Sequence, residues 1–218
     1  MRIPNAAHES RPWRIRAIVP DFVLEDVWAL SVQGSAGDFP LLLELIADSD
    51  PANADSLPAR LLWRLRDRLG SWFDLGGISA PVDGDDAAHG LPIPGTSETS
   101  LRRRLPEDLR DTAAEVDFGS LPFVPLYRTD TEFAAEVSNR TVHGVMHLAW
   151  VDQGDGRYQG QMAVYVRPRG PLGKGYMALI RPFRHWIVYP ALTRQTERMW
   201  NARIARSAAP MASPPPAR

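Results

Sequence analysis

The chain has 218 residues, 44% of them hydrophobic and 23% charged, which is ordinary globular composition and long enough to bury a sizeable core in one domain. A formal charge of -1 gives no field that would draw the chain to phosphate backbones or anionic lipid, so no nucleic-acid partner is expected. With no cysteine, disulfides, thiolate nucleophiles and thiolate metal sites are excluded, and any nucleophile must be oxygen or nitrogen.

No stretch approaches the roughly 20 apolar residues of a membrane span. The opening residues MRIPNAAHESRPWRIR lack the apolar centre of a signal peptide, so the expected location is cytoplasmic. After Pro12, the alternation of Trp13, Ile15 and Ala17 with Arg14, Arg16 and Ile18 predicts a first strand. Val23, Leu24, Val27 and Trp28 recur near helical spacing and predict a short helix behind Pro20 and Asp21.

From Asp38 to Leu75 two helices are predicted. One carries the stripe Phe39, Leu42, Leu43 and Ile46; the other carries Leu61, Leu62, Leu65 and Leu69 behind Pro58. Arg60, Arg64, Arg66 and Arg68 decorate the second helix as a solvated basic face. Residues 76–100 are rich in Gly, Pro, Ser and Asp and poor in apolar periodicity, which predicts a long disordered loop or a functional lid. The single domain is expected to span residues 1–206, with 207–218 an unstructured tail.

Residues 121–169 are the strand-rich part. In Thr131 to Asn139, Thr129 and Glu132 have the spacing of a helix capping box, but Phe133, Ala135 and Val137 alternate, and we assign a strand with Asn139 and Arg140 as its turn. The next strand, TVHGVMHLAWV, presents Val142, Met146, Leu148 and Trp150 on its apolar face. After a turn at Asp152 to Gly156, Tyr158, Met162, Val164 and Val166 alternate with Arg157, Gln159, Gln161 and Tyr165, so the two strands form an antiparallel hairpin. Beyond Gly173, Tyr176, Ile180, Phe183, Ile187 and Ala191 form a stripe on a long helix, in which Pro182 or Pro190 imposes a kink or break.

The segments EVSNRTVHGVMHLAWV (Glu136 to Val151) and RPRGPLGKGYMALIRPFRHWIVYPAL (Arg167 to Leu192) resemble the bacterial domain of unknown function 2867. The second segment is similar to a domain fused behind short-chain-dehydrogenase-like domains. The resemblance implies an α+β helix-grip fold of the START and birch-pollen-allergen-like (SRPBCC) superfamily: a curved antiparallel sheet around a long C-terminal helix, here with an extra helical insertion. It further implies a habit of binding small hydrophobic molecules, some relatives being polyketide cyclases or dehydratases. It carries over no catalytic residue and no cofactor, and fold alone does not fix function.

Two sets of side chains are candidates for chemistry. A ligand-binding wall would combine the sheet residues Met146, Leu148, Trp150, Met162 and Val164 with the helix residues Tyr176, Ile180 and Phe183, although such residues more often simply fill a core. The catalytic candidates are Glu136, His143 and His147. On a helix the two histidines would sit about 6 Å apart and could share a metal. On a strand they are roughly 13 Å apart, so no metal is assigned. They lie on the face opposite Met146, Leu148 and Trp150, solvated unless something covers it. The helices between Asp38 and Leu75 are the candidate cover, which would make His143, with Glu136 or Tyr165, a partly buried acid/base group.

Glu136, Asn139 and Thr141 also read as plain turn chemistry, and Arg181, Arg184 and His185 as surface cations beside a stripe. Arg167 to Gly175 lacks the phosphate-loop and dinucleotide spacings, and no GxSxG elbow exists. Three functions follow: a binder of a small hydrophobic molecule, a cofactor-independent cyclase, dehydratase or isomerase, and a noncatalytic interaction protein. A homodimer is left open.

Overall fold

The computed structural model describes residues 1–47, 100–113, 115–118, 123–138, 142–183 and 189–208. The predicted second helix at Leu61 to Leu69, almost all of the 76–100 segment, the turn at Asn139 and Arg140, Arg184, His185 and Ile187 lie outside the described residues. So do the side chains of Tyr176, Ile180, Arg181 and Phe183.

Among the described residues, six strands, β1 (Arg2–Ile3), β2 (Val23–Gly34), β3 (Val124–Arg128), β4 (Glu132–Ser138), β5 (Val142–Gly154) and β6 (Arg157–Pro168), form one antiparallel sheet in the order β1-β2-β6-β5-β4-β3. The α-helices among the described residues are α1 (Asn5–Glu9), α2 (Ile15–Ile18), α3 (Phe39–Ala47), α4 (Gly170–Phe183) and α5 (Tyr189–Ala208). No helix among the described residues is long and apolar enough to cross a membrane.

The hairpin of β5 and β6 forms as predicted, with Val145 opposite Tyr165 and Leu148 opposite Met162. Residues 132–138 are a strand, so Thr129 and Glu132 do not cap a helix. Thr129 Oγ1 instead accepts from the Glu132 backbone N–H at 2.9 Å, tightening the turn into β4 and releasing the Glu132 side chain for other partners. The predicted stripe of α3 is buried at Phe39, Leu42, Leu43 and Ile46, and a capping box between Ser35 and Asp38 sets the turn that precedes it.

Two N-terminal assignments are corrected. The predicted first strand is the single helical turn α2, in which Ile15 and Ile18, three residues apart, are both fully buried. The predicted helix at Val23 to Trp28 is the long strand β2. This strand is covered on both faces, and its register shifts between Leu24 and Asp26, which brings Leu24 to the same side as Val27 and imitates a helical spacing. At the C-terminal end, the stripe is divided between α4 and α5, with Pro182 at the end of the first and Pro190 in the first turn of the second, where a missing N–H removes no helical bond.

The sheet separates two cores. On one face Trp28, Leu30, Met146, Leu148, Trp150 and Met162 pack with α3 and with Tyr189 and Trp200 of α5. On the other, Val27, Tyr127, Ala134, Val145, Ala163 and Tyr165 pack beneath α2 and the leucines of residues 101–109. This second cover determines what the histidines are.

Candidate functional site

The polar side chains of the second face follow from strand register. Glu132 lies opposite Ala149 and Ala134 opposite His147, while Glu136 lies opposite Val145 and Ser138 opposite His143. Each glutamate is therefore diagonal to a histidine on the same face, within reach of a long side chain. His147 Nε2 is 3.1 Å from Glu132 Oε2, and His143 Nε2 is 2.8 Å from Glu136 Oε2. All four residues are buried.

Of the candidate cover after Asp38, α3 packs on the opposite face, and the second predicted helix lies outside the described residues. Among the described residues, the cover of the histidines is the N-terminal segment together with residues 100–109. Glu136 accepts from the Ser100 hydroxyl and, at 3.1 Å, from the Leu101 backbone N–H, and Phe22 sits edge-on to His143 at 5.1 Å. Glu132 accepts from the Arg14 backbone N–H at 3.0 and 3.2 Å and from the Tyr127 hydroxyl at 2.9 Å. Burial raises the pKa of the Glu132 carboxyl, but the hydrogen bond and charge of His147, with the Arg14 and Tyr127 donors, outweigh it and hold the group below the usual carboxylate range. Burial, with the nearby Glu132 charge, keeps the Tyr127 phenol neutral far above its ordinary pKa.

Above His147 lies a third histidine. His8, fully buried on α1, brings Nδ1 to 2.6 Å from Gln161 Oε1, and its ring stands edge-on to His147 at 5.3 Å. Burial, reinforced by the neighbouring His147, lowers its pKa to about 4. Trp13 leans against both rings, at 5.7 Å from His8 and 5.6 Å from His147, and the Arg11 guanidinium lies over the Trp13 ring at 6.0 Å. Among the described residues no group of three or more His, Asp or Glu is arranged to hold a metal ion.

The structure thus gathers Glu136, His143 and His147 on one buried face, with Tyr165 between the histidines. It adds Glu132, Tyr127, Gln161, His8, Trp13 and Ser100. Met146, Leu148, Trp150 and Met162 lie across the sheet, buried with Phe39, Leu42 and Trp200, and Val164 packs at the edge of that cluster. A buried polar group of that side is Asp26, 3.3 Å from the Tyr189 hydroxyl and 3.9 Å from Arg2.

One signal for the second glutamate was present in the sequence. Glu132 and Glu136 are four residues apart, as are His143 and His147, and folding such a segment about a hairpin sets each glutamate against one histidine. His8 and Trp13 carried no such signal, because their position depends on contacts remote in sequence.

The family model described as protein of unknown function (DUF2867) matches residues 18–191. The chain belongs to this family. No curated protein and no solved structure matches it. In this DUF2867 chain the matched range contains Glu132, Glu136, His143, His147 and Tyr165, whereas His8 and Trp13 precede it.

Proposed function

We propose that this DUF2867 chain binds a small organic molecule on the histidine face and moves a proton on it without a cofactor, as an isomerase, dehydratase or cyclase does. The observation that carries the reading is His147. One ring nitrogen is held by the charged Glu132, while the other, Nδ1, is buried without a hydrogen-bond partner among the described residues. A carboxylate that orients a histidine and leaves its second nitrogen uncommitted is the arrangement of a general base. Glu132 also stabilises the imidazolium that forms when Nδ1 takes a proton, and the neutral Tyr165 phenol beside it can donate to an oxygen where charge develops.

A helix-grip architecture is consistent with the curved antiparallel sheet that carries α5 on one face. The hydrophobic-carrier reading draws on the opposite face, where the apolar wall includes the buried Asp26 and Tyr189 as polar anchors. We favour the histidine face because the apolar side chains already pack against α3 and α5. A substrate reaches His147 when the N-terminal segment lifts, which makes that segment part of the working site.

Incubation in deuterated water with a panel of small aromatic ketones and β-diketones tests the proposal, with deuterium uptake at the carbon beside the carbonyl followed by mass spectrometry. Uptake on at least one compound should exceed that with His147→Gln by about 10²-fold or more. Equal rates for both proteins across the panel would sink the proton-transfer reading, and saturable binding without exchange would leave a carrier.

A further inference from the structure

Among the described residues, five buried polar atoms of the histidine face have no hydrogen-bond partner: Ser138 Oγ opposite His143, and His8 Nε2, Trp13 Nε1, His147 Nδ1 and Tyr165 Oη. Each such group left unpaired is costly, and native interiors contain few of them. The last four belong to neighbouring rings. His8 lies 5.3 Å from His147, 5.7 Å from Trp13 and 6.1 Å from Tyr165, and His147 lies 5.6 Å from Trp13 and 6.5 Å from Tyr165. An oxygen about 2.8 Å from one ring nitrogen is within reach of the next ring at these separations.

The hydrogens of three of the four atoms are fixed by their surroundings. Gln161 Oε1 only accepts, so His8 carries its hydrogen on Nδ1, and the neutral ring presents a lone pair at Nε2. Glu132 only accepts when charged, so His147 carries hydrogen on Nε2 and leaves Nδ1 as its unpaired nitrogen. The indole of Trp13 can only donate, and the buried phenol of Tyr165 keeps its hydrogen. An acceptor on His8 therefore lies beside donors on Trp13 and Tyr165.

That set rejects most ligands. A cation would meet the hydrogens of Trp13 and Tyr165, an oxyanion would meet the lone pair of His8, and a carbonyl oxygen accepts but cannot donate. A hydroxylic oxygen does both, and water, with two hydrogens and two lone pairs, matches the acceptor and both donors with one hydrogen to spare.

We infer that His8, Trp13, His147 and Tyr165 form a binding site for one neutral hydroxylic oxygen, supplied either by a water molecule or by the hydroxyl of a small alcohol or phenol. Two of the four residues come from the segment ahead of the matched family range, so the N-terminal segment completes the site. The site rests on the same orientation of His147 as the proton-transfer reading, and its test does not involve turnover.

The test is magnetisation transfer from water to the Trp13 indole N–H in the full-length ¹⁵N-labelled protein, repeated during titration with methanol and with phenol. The expected result is a cross-peak with the sign of a long-lived water. It should be lost in His8→Phe and weakened several-fold in Tyr165→Phe, with the amide shifts of β5 and β6 unchanged. A titrant that removes the cross-peak saturably while shifting the indole resonance identifies a solution hydroxyl as the ligand; no response to either titrant identifies a resident water. A wild-type protein with neither the cross-peak nor a saturable shift overturns the site. If His8→Phe does not fold, Tyr165→Phe gives the same reading. The cross-peak can persist when deuterium uptake fails to depend on His147, so the two proposals fail separately.

Discussion

A carboxylate taken out of water is costly unless its lone pairs are used, and Glu132 uses them on an imidazole, a phenol and a backbone N–H. His8 has solved the same problem differently, by staying neutral. Its pKa falls from 6.5 to about 4 because burial and His147 both oppose a positive charge. The unfolded chain takes up this proton below pH 6.5 and the folded chain does not until about pH 4. His8 therefore contributes full stability above pH 6.5, and that contribution is lost as pH falls towards 4, by about 3 kcal/mol at the limit. Urea denaturation at a series of pH values should show a decline across this window that flattens in His8→Gln. Glu132, held below the usual carboxylate range, adds a loss at lower pH that His8→Gln should retain. A variant with the wild-type slope between pH 6.5 and 4 would show that His8 is not the titrating group.

At the scale of elements, the N-terminal cover cannot stand by itself. Helices α1 and α2 have five and four residues, far below the length at which a helix is stable in water. They are held by Asn5 to the Leu24 carbonyl at 2.6 Å, by the exposed Arg14–Asp108 ion pair at 2.7 Å, and by the Arg14 backbone N–H on the buried Glu132. The last tie should dominate, since an exposed pair contributes about 1 kcal/mol or less and a hydrogen bond to a buried charge about 1.5–3 kcal/mol. Arg14 has φ of -62°, a value proline adopts, so Arg14→Pro removes the N–H without opposing this torsion. Arg14→Ala removes only the ion pair. Hydrogen exchange of residues 5–18 should accelerate about tenfold or more in the proline variant relative to the alanine variant, with β5 unchanged. Matching exchange in both would mean that Glu132 does not anchor the cover. The same reasoning explains what could be read from sequence: β5, β6 and α3 declared themselves by local periodicity, whereas four residues of α2 take their form from a distant glutamate and leucines.

For the whole molecule, the arrangement is a sheet buried on both sides. This is why β2, apolar on both faces, imitates a helix in its sequence pattern, and why the histidine face is legible in the sequence while its cover is not. The parity of β5 separates His143, Val145 and His147 from Met146, Leu148 and Trp150 in any register that keeps the faces. What lies over each face is decided by contacts more than a hundred residues apart, such as Arg14 on Glu132 and His8 on Gln161. The side occupied by α3 can be tested at Gly160 of β6, which Leu42 of the helix overlies. A Cβ there would lie 3.0 Å from Leu42 Cδ2 and 3.3 Å from Leu30 Cδ1, both fully buried side chains with little room to yield. Overpacking of this kind costs about 1–3 kcal/mol, against about 0.4–1 kcal/mol gained from the less flexible unfolded chain. Gly160→Ala should thus destabilise by on the order of 1 kcal/mol. Gly144, in the neighbouring strand, would place its Cβ 3.4 Å from Val137 Cγ1, an ordinary contact, and Gly144→Ala should be neutral or slightly stabilising. Equal denaturation midpoints for the two variants would mean that α3 does not press on the sheet, and with it the separation of the apolar core from the histidine face would lose its support.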